Sequence, residues 1–585
     1  MTSLSDLAGV FDIECAEWDR FICGCTLDRS NKPYVSWDED EYARNLLDRD
    51  GVFYAHAGGR YDLLWLLDWC MRHGVAVTEV KPRGSGILSM RVGDLELRDS
   101  YALVPMTLAK CAPIGGEEKS SLALPCECGE ECGGYCALAR RLTPGEKRLV
   151  TAYLVQDCVA LSAMLLSLAW RCSDLDITVG LTVGGTAWST AKRWCDLHSS
   201  RHDLGRYDAL SRGASGGMTI PFMERAASGE RYDIHSSYPA ALSVVPLPWG
   251  TPRHMKGSAA GAAYRAGKPG IYRASVIVPD CHIPPLAARE SDRLLYPIGP
   301  IEGAWTTIDL QHAEACGVKI TKIITAYVWP GTRVALRDFA VKGWEIRDQN
   351  TKGDASNVAF AAWIKWFVNS ATGKFKQSPD HETLTFIPAI DGAPILDRDS
   401  RVLAVNDRGA WVVTENRKVD ACAHVEFYAY LTAYARIELH LQLLEAGIHA
   451  IYCDTDSVYS TKALTRRLGP SLGEWGHEGS LRDWRCLAPK VYDYVDPATG
   501  KHTTRGKGMS GLDSRGFDAL ADGEKWVVDR GVDGLKTALR SHSSTMFRRK
   551  SLARSLSPFP GWIGGRVIEG EGTRAPTVAE YRGRK

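Results

Sequence analysis

The chain has 585 residues, 45% apolar and 24% charged, which excludes wholesale disorder; at roughly 150 residues per domain it allows three or four structural units. Seventy-one lysines and arginines against 70 acids leave a net charge of +1, which excludes a histone-like polycation but not a locally basic groove. The cleanest apolar run, Leu161–Trp170, is about half the roughly 20 residues of a bilayer span, and no basic-then-apolar leader opens the chain. The 17 cysteines are odd in number and mostly scattered, so reduced thiols in a cytoplasmic protein with no membrane partner are expected rather than a disulfide framework.

Strand-like runs alternate with helical patterns, and this predicts a mixed, α+β architecture. GVFDIECAEW reads as a strand with Asp12 and Glu14 at i and i+2 on one face. HAGGRYD then leads through Tyr61 and Asp62 into an amphipathic helix closed by Gly74. The insertion CECGEECGGYC carries Cys126, Cys128, Cys132 and Cys136, with Cys111 nearby. Four thiolates can hold zinc, but this spacing matches no established finger, so structural Zn²⁺ is possible and free thiols are favoured. A helix over about 149–170 sets Tyr153 and Asp157 one turn apart. Four carboxylates on three elements suggest a site for two metal ions; unrelated surface acids are the bland alternative.

SRGASGGMT, with Gly216 and Gly217, predicts a hinge or a close backbone approach between two units. YDIHSSYP places Asp233, Ser236, Ser237 and Tyr238 where a strand turns. TKGDASNVAFAAWIKWFVNSATGKF reads as one helix ending near Gly373, with Lys365, Asn369 and Thr372 or Gly373 along one face. A lysine there offers a point charge to a triphosphate. VEFYAYLTAYARIELHLQLLEAG is a longer helix carrying Arg436 and stopped by Gly447. YCDTDS puts Asp454 and Asp456 at a hairpin tip, where divalent cations neutralise concentrated negative charge. Lys490 and Tyr492 in PKVYDY share one strand face. From Lys536 onward 11 lysines and arginines face 3 glutamates, an excess of +8 that suits a phosphate backbone or a solvated terminal face.

In this order, DxxSxYP, KxxxNSxxG and YxDTDS resemble the polymerase motifs of the family B DNA polymerases, and in particular the small protein-primed type of bacteriophages and linear plasmids. PLPWG, TAYAR, LGEWGHEG and PKVYDY support the likeness. The resemblance implies that Asp233 and Asp456 hold two Mg²⁺ (or Mn²⁺) ions, with Asp454 in support, while a primer 3′-oxygen attacks the α-phosphate of a deoxynucleotide. It implies that Lys365, Asn369 and Ser236 bind the nucleotide and that Tyr238 excludes a 2′-hydroxyl. Lys490, Tyr492, Arg436, Gly216 and Gly217 would contact DNA. Two departures stand out: Thr372 where a tyrosine is usual, and Ser237 where a leucine is usual.

The N-terminal acids resemble the 3′–5′ proofreading exonuclease of the same family. Asp12, Glu14, Asp62 and Asp157 would bind metal, Tyr153 would orient the attacking water, Lys119 would lie near the scissile phosphate, and Tyr61 would help to hold the frayed strand. Ala57 or Gly58 stands where the family usually has an asparagine, which predicts retained but weakened proofreading.

The implied fold is an RNase H-like exonuclease domain over residues 1–175, then a right hand over 176–585 with two insertions. Palm is expected at about 176–245 and 423–525, a first insertion at 246–342, fingers at 343–376, a second insertion at 377–422 and thumb at 526–585. Partners implied are template and primer DNA, deoxynucleoside triphosphates and a terminal (priming) protein. The insertions would serve priming and strand displacement. A nucleic-acid-primed enzyme of the same family is the alternative.

Overall fold

The structure is a computed structural model that describes residues 4–583 except 17–19, 123, 125–134, 198–202, 291–292, 390–395, 397, 418, 420–422, 532–534, 541–549, 555, 557–560 and 571. Cys126, Cys128 and Cys132 lie outside the described residues. Cys136 is exposed in a short 3₁₀ turn, Tyr135–Ala139, and Cys111 is buried with its thiol donating to the Leu108 carbonyl.

The N-terminal sheet is built around strand Leu7–Ala16, which pairs parallel with Gly51–Ala55 and antiparallel with Arg20–Asp28. Helices cover both faces, so nearly every residue of the central strand is buried or half-buried. Val10 packs with the helix Pro144–Asp174, whereas Phe11 and Ile13 pack with Glu39–Leu47 and Asp62–Arg72. Asp12 and Glu14 share the parity of Val10 and therefore face Pro144–Asp174. That helix starts earlier than the apolar periodicity indicates. Thr143 and Glu146 form a capping box and Pro144 occupies the first turn, a signal already present in TPGE. At 31 residues it is long and apolar enough to cross a membrane, unlike the short run read from sequence, yet here it packs on the sheet and half of its most apolar stretch is buried.

The palm is a seven-stranded antiparallel sheet. Its order is His502–Gly506, Val491–Val495, Trp475–Ala488, Arg225–Ile234, Ser457–Ser460, Ala450–Asp454 and Thr219–Pro221. The helix Val425–Ala446 closes one face, with Leu439, Leu443 and Ala446 against Tyr232, Ile234, Cys453 and Val458. Gly447 ends it at φ 58°, a left-handed value that glycine adopts without cost. Two fingers helices, Arg337–Asn350 and Ala355–Lys374, form a hairpin capped by Asp354. They approach closely at Gly343, where a Cβ would stand 2.5 Å from Val368.

Between the first two motifs, strands Arg253–Lys256, Lys319–Val328, Gly270–Val278 and Gly299–Thr306 make a four-stranded sheet with its own core. The later segment Asp380–Arg417 forms three antiparallel strands. Its first strand docks on the edge of the N-terminal sheet, Leu384 opposite Val80 and Phe386 opposite Val77, to give ten strands in all. The C-terminal segment returns to the palm: Arg566 is buried over Phe222 and donates to the carbonyls of His282 and Thr573. Arg574 pairs with Glu569 and Glu580, and Arg582 with Glu290. These three tail cations are thus engaged with the protein itself.

Candidate active sites

Two acidic clusters form, one in each sheet. In the palm, strand register sets the geometry: Ser457 lies opposite Asp233, and the Ile234 amide donates to the Asp456 carbonyl at 2.9 Å. Thr455 at the hairpin tip takes φ 61°, between Asp454 at the end of one strand and Asp456 in the turn. Burial, then the Asp456 charge, pushes Asp233 up to about 7; burial, then Asp454, pushes Asp456 up to about 6. Lys365 acts against both shifts. Two carboxylates this reluctant to ionise together form the donor set that a divalent cation stabilises.

Asp454 has a different setting. Both of its oxygens accept from Lys490 Nζ at 2.7 Å, and Oδ1 also accepts from Thr219 at 2.9 Å and Thr455 at 3.1 Å. Its charge is already matched by protein donors. Lys490 is held at φ 64°, with its amide donating to Tyr452 Oη, and Tyr492 stacks beside Trp484 and Tyr452. Of the glycine pair, Gly217 is the close-approach site, where a Cβ would meet Thr455 at 2.8 Å; one on Gly216 would make only ordinary contact, 3.8 Å from Tyr428 Oη.

Arg436 does not present its charge to solvent. It is buried, donating to the carbonyls of Ser215 and Gly216 and to Asp309 Oδ1 at 2.9 Å. A side chain expected at the DNA surface instead fixes the glycine loop from beneath. Thr372 is buried with its hydroxyl unpaired, while Gly373, one residue before the helix end, is exposed with nothing within 4 Å of an added Cβ.

A cationic pocket joins palm and fingers, lined by Ser236, Trp344, Arg347, Lys365 and Asn369. Ser236 takes φ 56° at the start of the helix Ser237–Val244, and its hydroxyl accepts from Arg347 Nη1 at 2.9 Å. Asn369 donates to the Lys365 carbonyl at 2.9 Å. Tyr238 is half-buried near Tyr428 and Asp456, and burial pushes its phenol up to about 12. Sequence reasoning missed Arg347. It belongs to no spaced motif, and only the antiparallel packing of the fingers helices brings it opposite Ser236.

In the N-terminal sheet, Asp12, Glu14, Asp62 and Asp157 converge. The Ile13 amide donates to Asp62 Oδ1 at 3.0 Å, bringing the helix start to the strand. Burial and then repulsion from neighbouring acids push Asp12 well above the carboxylate range and Glu14 to about 8, while burial, with Asp99 adding to it, pushes Asp62 to about 7. Lys119 pairs with Asp157 and donates to Tyr153 Oη at 2.7 Å, so its ammonium lies beside this acidic cluster. Asp157 Oδ1 is buried with no hydrogen-bond partner. A bare anionic oxygen among four acids fits a divalent cation.

The segment after Gly51–Ala55 departs from the expected asparagine in a specific way. Ala57 sits at φ 58°, a region asparagine tolerates better than alanine. Gly59 admits no side chain, since a Cβ would lie 2.1 Å from the Ile87 carbonyl. Tyr61 is 40% exposed at the rim.

The sequence profile of the type B DNA polymerases, organellar and viral, matches residues 145–461. A probable DNA polymerase of Ascobolus immersus is 25% identical over 296 residues, 48% of this chain and 24% of the relative. The DNA-directed DNA polymerase of Enterobacteria phage PRD1 is 27% identical over 204 residues, 34% of this chain and 32% of the relative. The chain thus spans less than half the length of these curated relatives. Phi29 DNA polymerase, solved with primer-template DNA and incoming nucleotide, superposes with a TM-score of 0.68 at 17% identity, over 90% of this chain and 96% of that one. This likeness carries the fold: RNase H-like domain, palm, fingers and thumb with two insertions. By the profile match over more than half its length, the chain belongs to the type B DNA polymerases of organelles and viruses.

Proposed function

We propose that the protein is a DNA-directed DNA polymerase with a 3′–5′ proofreading exonuclease, acting in protein-primed replication of a phage or linear element in the host cytoplasm. The observation that carries the polymerase reading is the register that sets Asp233 against the Asp454–Asp456 hairpin, beside a pocket of Ser236, Arg347 and Lys365. Divalent ions held by Asp233 and Asp456 supply the charge stabilisation that in-line transfer at phosphorus requires.

The protein's own groups bind and orient. Arg347 and Lys365 present two cations to a triphosphate, and the Ser236 turn opens a helix N-terminus toward it. Tyr238 forms the floor under the sugar and leaves no room for a 2′-hydroxyl. Lys490, released from Asp454, takes the primer-terminal phosphate, with Tyr492 beside it. In the second site Lys119 holds Tyr153 and Asp157 together, so that the Tyr153 hydroxyl orients the attacking water.

Protein priming rests on the two folded insertions, which provide surfaces for a terminal protein and for template wrapping. The test is extension of a primed DNA template, followed by transfer of a labelled nucleotide to a hydroxyl of a candidate priming protein. Extension without any such transfer favours the nucleic-acid-primed alternative, and absence of both overturns the reading. Arg347→Ala is expected to raise the KM for the incoming nucleotide about tenfold, the worth of one charge-assisted hydrogen bond, with primer-template affinity unchanged. Steady-state extension against nucleotide concentration measures it.

A further inference from the structure

The first insertion is fastened to the palm by two helices, Thr307–Ala315 and Val425–Ala446. Thr306 and Asp309 form a capping box at the start of the insertion helix, and Arg436 of the palm helix donates to Asp309. One turn along both helices, His312 meets His440: His312 Nε2 lies 2.9 Å from His440 Nδ1, with the rings nearly perpendicular at 85°. Cys316, which caps the insertion helix, brings its Sγ to 3.8 Å from His312 Nε2. The two ring nitrogens and the thiol all lie within 4.8 Å of one another. His440 is buried, while His312 and Cys316 are half-buried.

The tautomers are set by the surroundings. His440 Nε2 lies 3.0 Å from the Ile283 carbonyl, which only accepts, so Nε2 carries the hydrogen and Nδ1 holds a lone pair directed at His312. A ring nitrogen held this way by a backbone carbonyl is the usual outer support of a metal-bound histidine. We propose that His312, Cys316 and His440 bind one zinc ion, a structural clamp between the first insertion and the palm. Zinc–nitrogen bonds of about 2.0–2.1 Å and a zinc–sulfur bond of about 2.3 Å require only small shifts from the observed separations. On binding, the Cys316 thiol gives its proton to solvent and becomes thiolate; the His312 hydrogen moves from Nε2 to Nδ1, so one proton is released per ion. Two borderline imidazoles and a soft thiolate suit zinc, which separates this site from the all-carboxylate clusters that take Mg²⁺.

The experiment uses full-length protein stripped of metal and titrated with Co²⁺, then with Zn²⁺. Cobalt held by a thiolate gives a near-ultraviolet charge-transfer band that cobalt in carboxylate sites lacks, so the catalytic clusters do not interfere. The expected result is that band at one equivalent, bleached by one equivalent of Zn²⁺ and lost in both Cys316→Ser and His440→Gln. It should persist when Cys126, Cys128, Cys132 and Cys136 are all changed to serine. Thermal unfolding with and without Zn²⁺ should show a larger rise of the midpoint in wild type and in the four-serine variant than in Cys316→Ser or His440→Gln. No thiolate band in wild type, or a band that survives Cys316→Ser and disappears with the four serines, overturns the proposal. Because wild type alone decides the first outcome, a misfolded variant does not spare it.

Discussion

Asp456→Asn is expected to reduce templated nucleotide addition by about 10³-fold or more, equivalent to about 4 kcal/mol of transition-state stabilisation, while excision of a mismatched 3′ end is unchanged. The substitution keeps shape and removes charge. In the folded protein burial raises both acids, and the Asp456 charge adds to the cost of ionising Asp233 as Asp454 adds to that of Asp456, so the cluster is held ready for cations. Asparagine at 456 removes one of the two carboxylates assigned to the cations, and Asp233 should fall part of the way toward its ordinary range, with burial still raising it. Asp454→Asn makes the informative contrast. Asp454 is already bound by Lys490, Thr219 and Thr455, so its loss should act through the position of Lys490 and the primer end. A smaller loss is expected there, about 10- to 100-fold, seen mainly as weaker primer-template binding. Primer extension with both variants at saturating Mg²⁺ measures the order. Full activity in Asp456→Asn with inactivation in Asp454→Asn would reverse the assignment.

The acids were legible in the sequence because strand and helix periodicities are local. Asp12 with Glu14 and Tyr153 with Asp157 each form a pair within one element and fall where its period places them, while Asp454 and Asp456 are neighbours at one hairpin tip. Family likeness then supplied the partners from distant elements. What stayed hidden depends on long-range packing. Arg347 becomes a pocket residue only through the fingers hairpin, and its local sequence EIRDQ resembles any solvated helix face. Arg436 reads as a surface arginine from sequence, yet the capping acid of another helix, Asp309, draws it inward. The docking of Asp380–Pro388 on Val77–Arg83 is a register choice between segments far apart in the chain, which no period of either strand encodes. The His312–His440 contact escaped notice for the same reason, since its two histidines lie in different units.

The second large effect concerns the N-terminal site. Asp12→Asn combined with Asp157→Asn is expected to cut 3′–5′ excision by about 10³-fold and leave extension intact, by the same loss of metal-bound charge stabilisation. The pair also predicts a stability signature that activity alone cannot mimic. Burial and repulsion raise Asp12, Glu14 and Asp62 in the metal-free fold, the last two to about 8 and about 7, against roughly 4 for carboxylates in an unfolded chain. An acid with a raised folded value holds its proton more tightly folded than unfolded. Its contribution is therefore most favourable below about pH 4 and is lost as pH rises through the folded value, here from about 4 to about 8. In chelator, wild type should accordingly lose thermal midpoint between pH 5 and pH 8, and the double variant, with two fewer buried acids to ionise, should lose less and be the more stable protein at pH 8. Mg²⁺ or Mn²⁺ should invert that order, since cations stabilise only the chain that retains the carboxylates. Differential scanning calorimetry at two pH values, with and without metal, reads the inversion. Parallel pH profiles for the two proteins in chelator, together with unchanged excision by the variant, would remove these acids from the site and leave the Lys119–Tyr153 contact without a catalytic purpose.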